Sequence, residues 1–549
     1  DCLTQVVVQS PDVDETTVQS LMRPNPESIL SIEGVVRSRP PSHVNPNLAT
    51  GEIEVLAQAL EVLSPAAYPP PFPIGKGPEA NEELRLYYRF LDLRRQKMRD
   101  MLVQRQRFCQ LIRESFSARG FVEIHTPILS NSTPEGARDF IVPSRLHPGR
   151  FYALPQAPQQ WKQILMASGV DRYFQIAPCF RDEPARADRT PGEFYQLDIE
   201  MAFVEEEDVL REVESLVLEI GHRFGGKRIV DPFPRITFKD AMERYGTDKP
   251  DMRFGLELQT LTPQFKSSNM RFLRDAIEEG GTVRGFAVPG GARFSRRELG
   301  EFQKLSKESG VQSLAWLALS PEGARGSLAA RMDKGEIEVL RKAFEAQDGT
   351  LVLLGAGPRK QIDTALSAVR LEIGNRLGLR DPDTLMFGWV LDFPIYEEDP
   401  ETGQIIFSHN PFSMPKGGLE ALNTLHPLEI IGQQYDLVCN GIEISSGAIR
   451  NNIPEAMYRA FEIGGYSRAQ MDSLFGHMIR MYEYGAPPHG GIAPGIERLL
   501  MLFLSETSIR EVIPFPKNQK CEDVMVNAPS ELPAEQLREL GIFVSGIGS

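Results

Sequence analysis

No apolar run in this 549-residue chain approaches the ~18 residues that cross a bilayer as a helix, which excludes an integral membrane protein of that kind. Cysteine is scarce. Cys2, Cys109, Cys179, Cys439 and Cys521 stand far apart, with no Cys-x-x-Cys pair and no histidine cluster at zinc spacing, so a reducing compartment and no structural zinc are expected. Positive charge is in deficit: 60 Lys and Arg against 75 Asp and Glu give a formal net charge of −15, with a pI near 5.3. Wholesale phosphate neutralisation is excluded by that balance, and any RNA must be held by local patches. No internal repeat stands out. The first residue is Asp1 and not Met, and Leu3 to Val8 already reads as the interior of a strand. The true N-terminus is therefore expected upstream, where a targeting peptide would be invisible. What is present is an ordinary soluble composition, 41% hydrophobic and 25% charged, and a length that at roughly 100–200 residues per domain suggests three or four domains.

Up to residue 64, β-type runs (Thr4 to Val8, Ile29 to Val36, Ile53 to Ala57) alternate with turns such as Pro46-Asn47 and Thr50-Gly51, predicting a small all-β module. The stiff Tyr68-Pro69-Pro70-Pro71-Phe72-Pro73 then suits a spacer within a hinge over 65–98. From about Gln96 to Arg119, Met101, Phe108, Leu111, Ile112 and Phe116 share one helical stripe, which Gly120 can end before a strand from Phe121 to Thr126. Between 247 and 384 strands alternate with helices (Thr282 to Val288, Ser295 to Ser309, Ser313 to Ser320, Glu336 to Ala346, Leu351 to Leu354, Gln361 to Leu377). That pattern predicts an α+β domain inserted between two parts of a larger one, 99–246 and 385–549.

The clearest local signal runs from Tyr173 to Phe203. Tyr195, Leu197, Ile199 and Met201 alternate with Gln196, Asp198 and Glu200, so one strand face is apolar and the other lines polar space, either a substrate-pocket wall or the solvent side of an edge hairpin. Three distant segments favour the pocket: Gly120-Phe121-Val122-Glu123-Ile124-His125-Thr126-Pro127, Phe180-Arg181-Asp182-Glu183, and Gly491-Ile492-Ala493-Pro494-Gly495-Ile496-Glu497-Arg498. In order and character they resemble motifs 1, 2 and 3 of the class II aminoacyl-tRNA synthetases. Thr133-Pro134-Glu135-Gly136-Ala137-Arg138-Asp139-Phe140, Tyr152 to Gln163, and Gly485-Ala486-Pro487-Pro488-His489-Gly490-Gly491 are similar to the bacterial aspartyl branch of that family, as is the insertion itself.

The resemblance implies an α+β fold, an antiparallel sheet flanked by helices behind a partial OB-type anticodon-binding barrel, and a homodimer formed through motif 1. It implies ATP as substrate, Mg²⁺ as cofactor, and L-aspartate and tRNA-Asp as partners, with tRNA-Asn left open. By resemblance, Arg181 bridges the amino-acid carboxylate and the α-phosphate, for which a guanidinium fork is suited. Asp182 belongs to the same ATP segment. Glu183 reads the adenine amino group, Phe194 stacks on adenine, and Arg498, with Gly495, Ile496 and Glu497, covers its other face and the γ-phosphate. Asp436 and Glu443 resemble the acid pair that holds Mg²⁺, although as a bare pair, without the resemblance, they read better as solvated acids. Arg450 resembles the residue that binds the substrate side-chain carboxylate bidentately, with Lys162 as second cation and Asp198 orienting both. Gln159, His409 and Glu135, the last on a mobile loop, resemble further aspartate contacts. Two cations facing one carboxylate select Asp over Asn, whose amide would present donors to donors.

Two places depart from the pattern. Thr190-Pro191-Gly192-Glu193-Phe194 carries an extra residue and a threonine where relatives commonly read Gln-Pro-Glu-Phe, and Asn410 follows His409 where a second histidine is common. Leu354-Gly355-Ala356-Gly357 lacks the third glycine and distal acid of a dinucleotide site and is read as a turn. Glu205-Glu206-Glu207-Asp208 is read as a helix start complementing the dipole, and Arg94-Arg95-Gln96-Lys97-Met98-Arg99 as either a solvated helix start or a tRNA phosphate contact. The rivals are an asparaginyl relative, an ammonia-dependent amide ligase and an RNA-binding adaptor. The expected compartment is the bacterial cytoplasm, with the mitochondrial matrix as alternative. With the upstream strands of the barrel expected to be missing, the chain should activate aspartate but read the anticodon weakly.

Overall fold

The computed structural model describes residues 3–8, 25–75, 77, 79–132, 137–185, 189, 192–311 and 314–544. They fall into two compact units, 1–100 and 101–549. Among the described residues no helix is long and apolar enough to cross a membrane.

In the first unit, strands β1 (Val6–Val7), β2 (Ile29–Ser38) and β3 (Ile53–Ser64) form a sheet in the order β1-β3-β2, with β1 parallel and β2 antiparallel to β3. Strand β3 runs beyond the predicted Ala57, because Leu60 and Val62 still pair with Ile32 and Leu30. The register slips between Glu33 and Gly34. A Cβ at Gly34 would fall on the Leu56 carbonyl, so glycine is what permits the close approach there. Arg94 pairs with Glu27, and Arg95 with Glu79 and Asp92. The reading of this basic run as an ordinary helix start suffices.

The second unit is organised by an eight-stranded sheet of β4 (Val122–Glu123), β5 (Arg172–Arg181), β6 (Gly192–Ala202), β7 (Arg235–Thr237), β8 (Phe387–Leu391), β9 (Gln434–Cys439), β10 (Ile442–Ile449) and β11 (His489–Ile492), in the order β7-β8-β9-β10-β11-β6-β5-β4. Only the two outer pairs, β7 with β8 and β4 with β5, are parallel. The period-2 alternation of β6 sorts its two faces. Leu197, Ile199 and Met201 enter a core shared with Phe108, Ile112 and Phe116 of helix Gln96–Ala118 and Val213, Val217 and Ile220 of helix Glu206–Phe224. Tyr195, predicted with them, is 41% exposed. The acid run opens helix Glu206–Phe224 as a capping box between Glu205 and Asp208. Strand β4 is shorter than the predicted Phe121–Thr126: Thr126 turns its N–H and hydroxyl to the Gln175 side chain, and Pro127 has no N–H to donate.

Within 247–384 a separate five-stranded antiparallel sheet has the order Gln259–Thr260, Thr282–Val288, Leu351–Gly357, Ala315–Ser320, Gly323–Arg325. Helices Arg296–Glu308 and Arg359–Arg376 bury one face, and Arg271–Glu278 and Lys334–Ala343 the other. The run Leu351 to Leu354 is therefore apolar throughout, and Gly355-Ala356-Gly357 simply ends that strand.

Candidate active site

Phe194 and Gln196 of β6 line a cavity of about 340 Å³, and Asp198 and Glu200 follow them on the same strand face, as a floor behind the lining Lys162 and Arg450. Antiparallel register sets Asp198 opposite Gln175 of β5, and Glu200 between Tyr173 of β5 and Gly491 of β11. Asp198 and Glu200 are both completely buried, and isolated charges there would cost several kcal/mol each. Two cations answer them. Lys162, on helix Gln159–Ala167, donates to Asp198 Oδ1 at 2.6 Å and lies 3.5 Å from Glu200 Oε2. Arg450, just past β10, grips Glu200 with both Nε and Nη2, at 2.8 and 3.0 Å. Burial pushes the Glu200 carboxyl up, but Arg450 and Lys162 outweigh it and hold it below its ordinary value. At Asp198 burial wins over Lys162 and the carboxyl is raised.

Among the described residues, Arg450 Nη1, Asp198 Oδ2, Gln159 Nε2 and Ser445 Oγ around this floor are buried and have no hydrogen-bond partner. A buried polar atom left unpaired costs roughly 1–3 kcal/mol, so a cluster of both donors and acceptors is the mark of a site built for a small zwitterionic ligand.

At the other end of the cavity, Arg181 closes β5 with its guanidinium 5.0 Å from the centre of the Phe194 ring on β6. Glu183 lines the wall and accepts from Arg189 at 2.7 Å. Arg498, in the first turn of helix Ile496–Phe503, donates to the Glu443 carbonyl at 2.6 Å and lies 3.6 Å from its carboxylate. Gly495 leads that helix in, its N–H donating to Ile444, while the preceding Pro494 carbonyl accepts from Leu197. A bulge between Leu437 and Val438 sets Asp436 of β9 and Glu443 of β10 on the same wall. Burial, then the charge of Glu443, raises the Asp436 carboxyl well above its ordinary value. Two carboxylates on one wall suit a dication with phosphate and water as its remaining ligands. His409 lines the same cavity, edge-on to Phe393 at 5.0 Å.

A neutralised acid floor, an arginine above it and an arginine–aromatic mouth can together accommodate a carboxylate-bearing amine beside a flat ring and an anion. The family described as tRNA synthetases class II (D, K and N) matches residues 81–519. The chain belongs to the class II tRNA synthetases. It is 51% identical over 517 residues to a Chlorobium phaeovibrioides protein named aspartate–tRNA(Asp/Asn) ligase, covering 94% of this chain and 86% of that one. A Streptomyces avermitilis protein named aspartate–tRNA ligase is 50% identical over 528 residues, 96% of this chain and 89% of that one. The fold is like that of the aspartyl tRNA synthetase from Entamoeba histolytica, with TM-score 0.54 and 20% identity over 94% of this chain and 83% of that one. It is equally like an asparaginyl-tRNA synthetase from Pyrococcus horikoshii complexed with asparaginyl-adenylate, with TM-score 0.53 and 19% identity over 93% and 88%.

Four expected site residues of this synthetase sit differently from their sequence reading. Ile496 is buried in the core below the sheet, so only its backbone can approach a ligand. Both Glu497 oxygens are engaged, one by Arg105 at 2.6 Å and one by the Tyr195 N–H at 3.0 Å, which ties the helix start to β6. Asp182 is exposed outside the cavity, its backbone N–H donating to Arg138. The bidentate partner of Arg450 is Glu200, not an open space, so Nη1 is the donor left over. Glu135, Thr190 and Pro191 lie outside the described residues. Sequence reasoning placed Glu200 on the wall and His489 in a motif without a role for either, and missed Asp248 and the Gln163–Tyr482 hydrogen bond behind the floor.

Gly491 has no room for a side chain: a Cβ would fall on the Ile199 carbonyl and on Glu200 Oε2. Gly491→Ala is expected to cost about 1–3 kcal/mol of stability and, by displacing Glu200, to raise the aspartate KM; thermal unfolding and steady-state kinetics read the two effects. A variant of wild-type stability would show that the β6–β11 contact yields easily.

Behind Glu200, His489 is buried with Nδ1 against the Pro487 carbonyl at 2.8 Å and Nε2 without a partner among the described residues. Burial, which outweighs the attraction of Glu200, depresses its imidazole below the ordinary 6.5. As pH falls below that value the unfolded chain takes up a proton that folded His489 refuses. This contribution to stability is therefore complete above pH 6.5 and lost progressively on acidification. Wild-type Tm should fall between neutrality and about pH 5.5, and His489→Gln should flatten that slope. An equal slope in the variant would assign the acid sensitivity elsewhere.

Proposed function

We propose that this synthetase is an aspartate–tRNA ligase, which joins L-aspartate to ATP as aspartyl-adenylate and then transfers the aspartyl group to the 3′ end of tRNA-Asp, with tRNA-Asn as a second acceptor. The observation that carries the reading is the floor: Lys162 and Arg450, each fixed by a buried acid, around the donors Arg450 Nη1 and Gln159 Nε2, which have no partner among the described residues. A side-chain carboxylate satisfies those donors, whereas an amide turns its own donors toward them. Asp198 Oδ2, the unpartnered acceptor, suits the substrate ammonium, and His409 completes the amino-acid end.

The α-carboxylate then points toward Arg181. Its oxygen attacks the α-phosphorus, the bond to the bridging oxygen of pyrophosphate breaks, and the Arg181 guanidinium stabilises the negative charge spread over the non-bridging oxygens. Phe194 and Arg498 hold adenine between a ring and a guanidinium, and Glu183 accepts from its amino group. The glycine at 495 allows the nucleotide near the backbone, and Glu497 holds that turn in place. Asp436 and Glu443 would bind Mg²⁺, which when present neutralises phosphate charge; Asp436, raised in its proton affinity beside Glu443, is the kind of carboxylate that gains by such binding.

Exposed Val103, Val122, Ile128 and Leu129 on the motif 1 helix and the segment after it support a homodimer through that surface. The bacterial source of the similar ligases favours a bacterial cytoplasm over the mitochondrial matrix. Charging assays with aspartate, ATP and tRNA transcripts carrying Asp or Asn anticodons test the proposal. Aspartylation of both is the expected result; acceptance of tRNA-Asp alone would remove the second acceptor, and acceptance of neither would overturn the reading.

A further inference from the structure

The inserted domain begins with Thr247-Asp248-Lys249-Pro250, and Asp248 lines the cavity of the main body. Lys249 Nζ donates to Asp248 Oδ1 at 2.9 Å, one of the three donors an ammonium carries, and the Lys249 side chain remains 41% exposed. Asp248 shares its cavity with Asp436 and Glu443, so the ion pair it makes with Lys249 stands beside the acid wall.

The next residues are fixed firmly. Asp251 is buried and held by Arg253 at 2.7 Å and Arg380 at 2.8 Å. Arg370, on the inserted domain's helix Arg359–Arg376, lies between the rings of Phe254 and Tyr245 and donates to the carbonyls of Asp251, Phe254 and Gly255 at 3.0, 2.7 and 2.7 Å. The same loop rests on the hairpin that joins β9 to β10: a Cβ on Gly441 would stand 3.5 Å from Asp251 Cβ. The strands carrying Asp436 and Glu443 and the strap carrying Asp248 and Lys249 are thus packed on each other, and Arg370 is the clamp on the strap.

We propose that the inserted domain supplies part of the phosphate end of the active site, with Lys249 contacting the β- and γ-phosphates of ATP and Arg370 acting as the positioning residue that holds the strap. Lysine serves here as a compact point charge, suited to a polyphosphate without demanding planar geometry. The inference rests on the ligase reading, because it takes the acid-pair end of the cavity to be where the triphosphate lies.

Aspartate-dependent ATP–pyrophosphate exchange of the full chain tests it. Lys249→Met removes a charge-assisted hydrogen bond and is expected to raise the ATP KM by about tenfold or more while leaving the aspartate KM and the Tm unchanged. Lys249→Arg should recover most of the loss, and pyrophosphate should become a weaker inhibitor of the Met variant in parallel. Arg370→Lys, which cannot reach all three carbonyls, should shift the ATP KM in the same direction without touching the aspartate KM. An unaltered ATP KM in Lys249→Met, or equal rises for both substrates, would overturn the phosphate contact. A normal ATP KM in a folded Arg370→Lys variant would remove the clamp. Wild-type protein without aspartate-dependent exchange would instead contradict the ligase reading itself, so the two failures are distinguishable.

Discussion

Replacing Arg181 by alanine is expected to lower aspartate-dependent pyrophosphate exchange by about two to three decades in a protein that remains folded. The side chain sits over the Phe194 ring, and its Nε has no hydrogen-bond partner among the described residues. It therefore contributes little to the charge balance of the floor, where Lys162 and Arg450 already answer Asp198 and Glu200. Its removal should leave aspartate binding close to normal and act on the step in which charge develops at phosphorus. A donor aimed at such charge is typically worth ~3–4 kcal/mol. Single-turnover adenylate formation separates this from a binding defect. A near-normal rate would take Arg181 out of the chemistry.

Arg450→Gln should be more damaging, and in a different way. Arg450 holds both oxygens of buried Glu200, and without it the nearest cation is Lys162 at 3.5 Å. Removing one partner of a buried ion pair costs about 3–5 kcal/mol, because the other charge is left uncompensated. Part of that cost should appear as a lower Tm. The remainder should appear as a fall of roughly two to three decades in kcat/KM for aspartate, since the same guanidinium supplies Nη1 to the substrate. Glu200 should also take up a proton more readily, because its carboxyl is kept low by Arg450 first and Lys162 second once burial is overcome. An enzyme with wild-type stability and aspartate kinetics would show that the side-chain pocket lies elsewhere.

The contrast between these two arginines shows which parts of the site can be read from a linear chain. The wall was legible because strand β6 alternates with period 2, and Gln196, Asp198 and Glu200 in succession on one face are distinctive. The helix Gln96–Ala118 was legible from its apolar stripe, and the strands and helices of the second sheet within 247–384 from a change of rhythm. Arg450 and Glu200 were each visible, but their pairing spans 250 positions and depends on β10, β11 and β6 lying side by side in register. Ile496 shows the opposite error. Its motif places it beside the ligand, while the helical turn rotates its side chain into the core. Asp248 and Lys249 were overlooked because a short polar segment before a proline at a domain boundary has the composition of a linker. Only tertiary packing against the Asn440-Gly441 turn makes it part of the cavity.

The floor of the cavity embodies the central claim, that two buried acid–base pairs present cationic donors to a side-chain carboxylate. The most direct measurement is amino-acid-dependent ATP–pyrophosphate exchange with aspartate, asparagine and lysine compared on the same protein. Exchange with aspartate and none above background with the other two is the predicted result. Exchange driven by asparagine or lysine at a comparable rate would contradict the assignment of Lys162 and Arg450 as carboxylate-selecting groups.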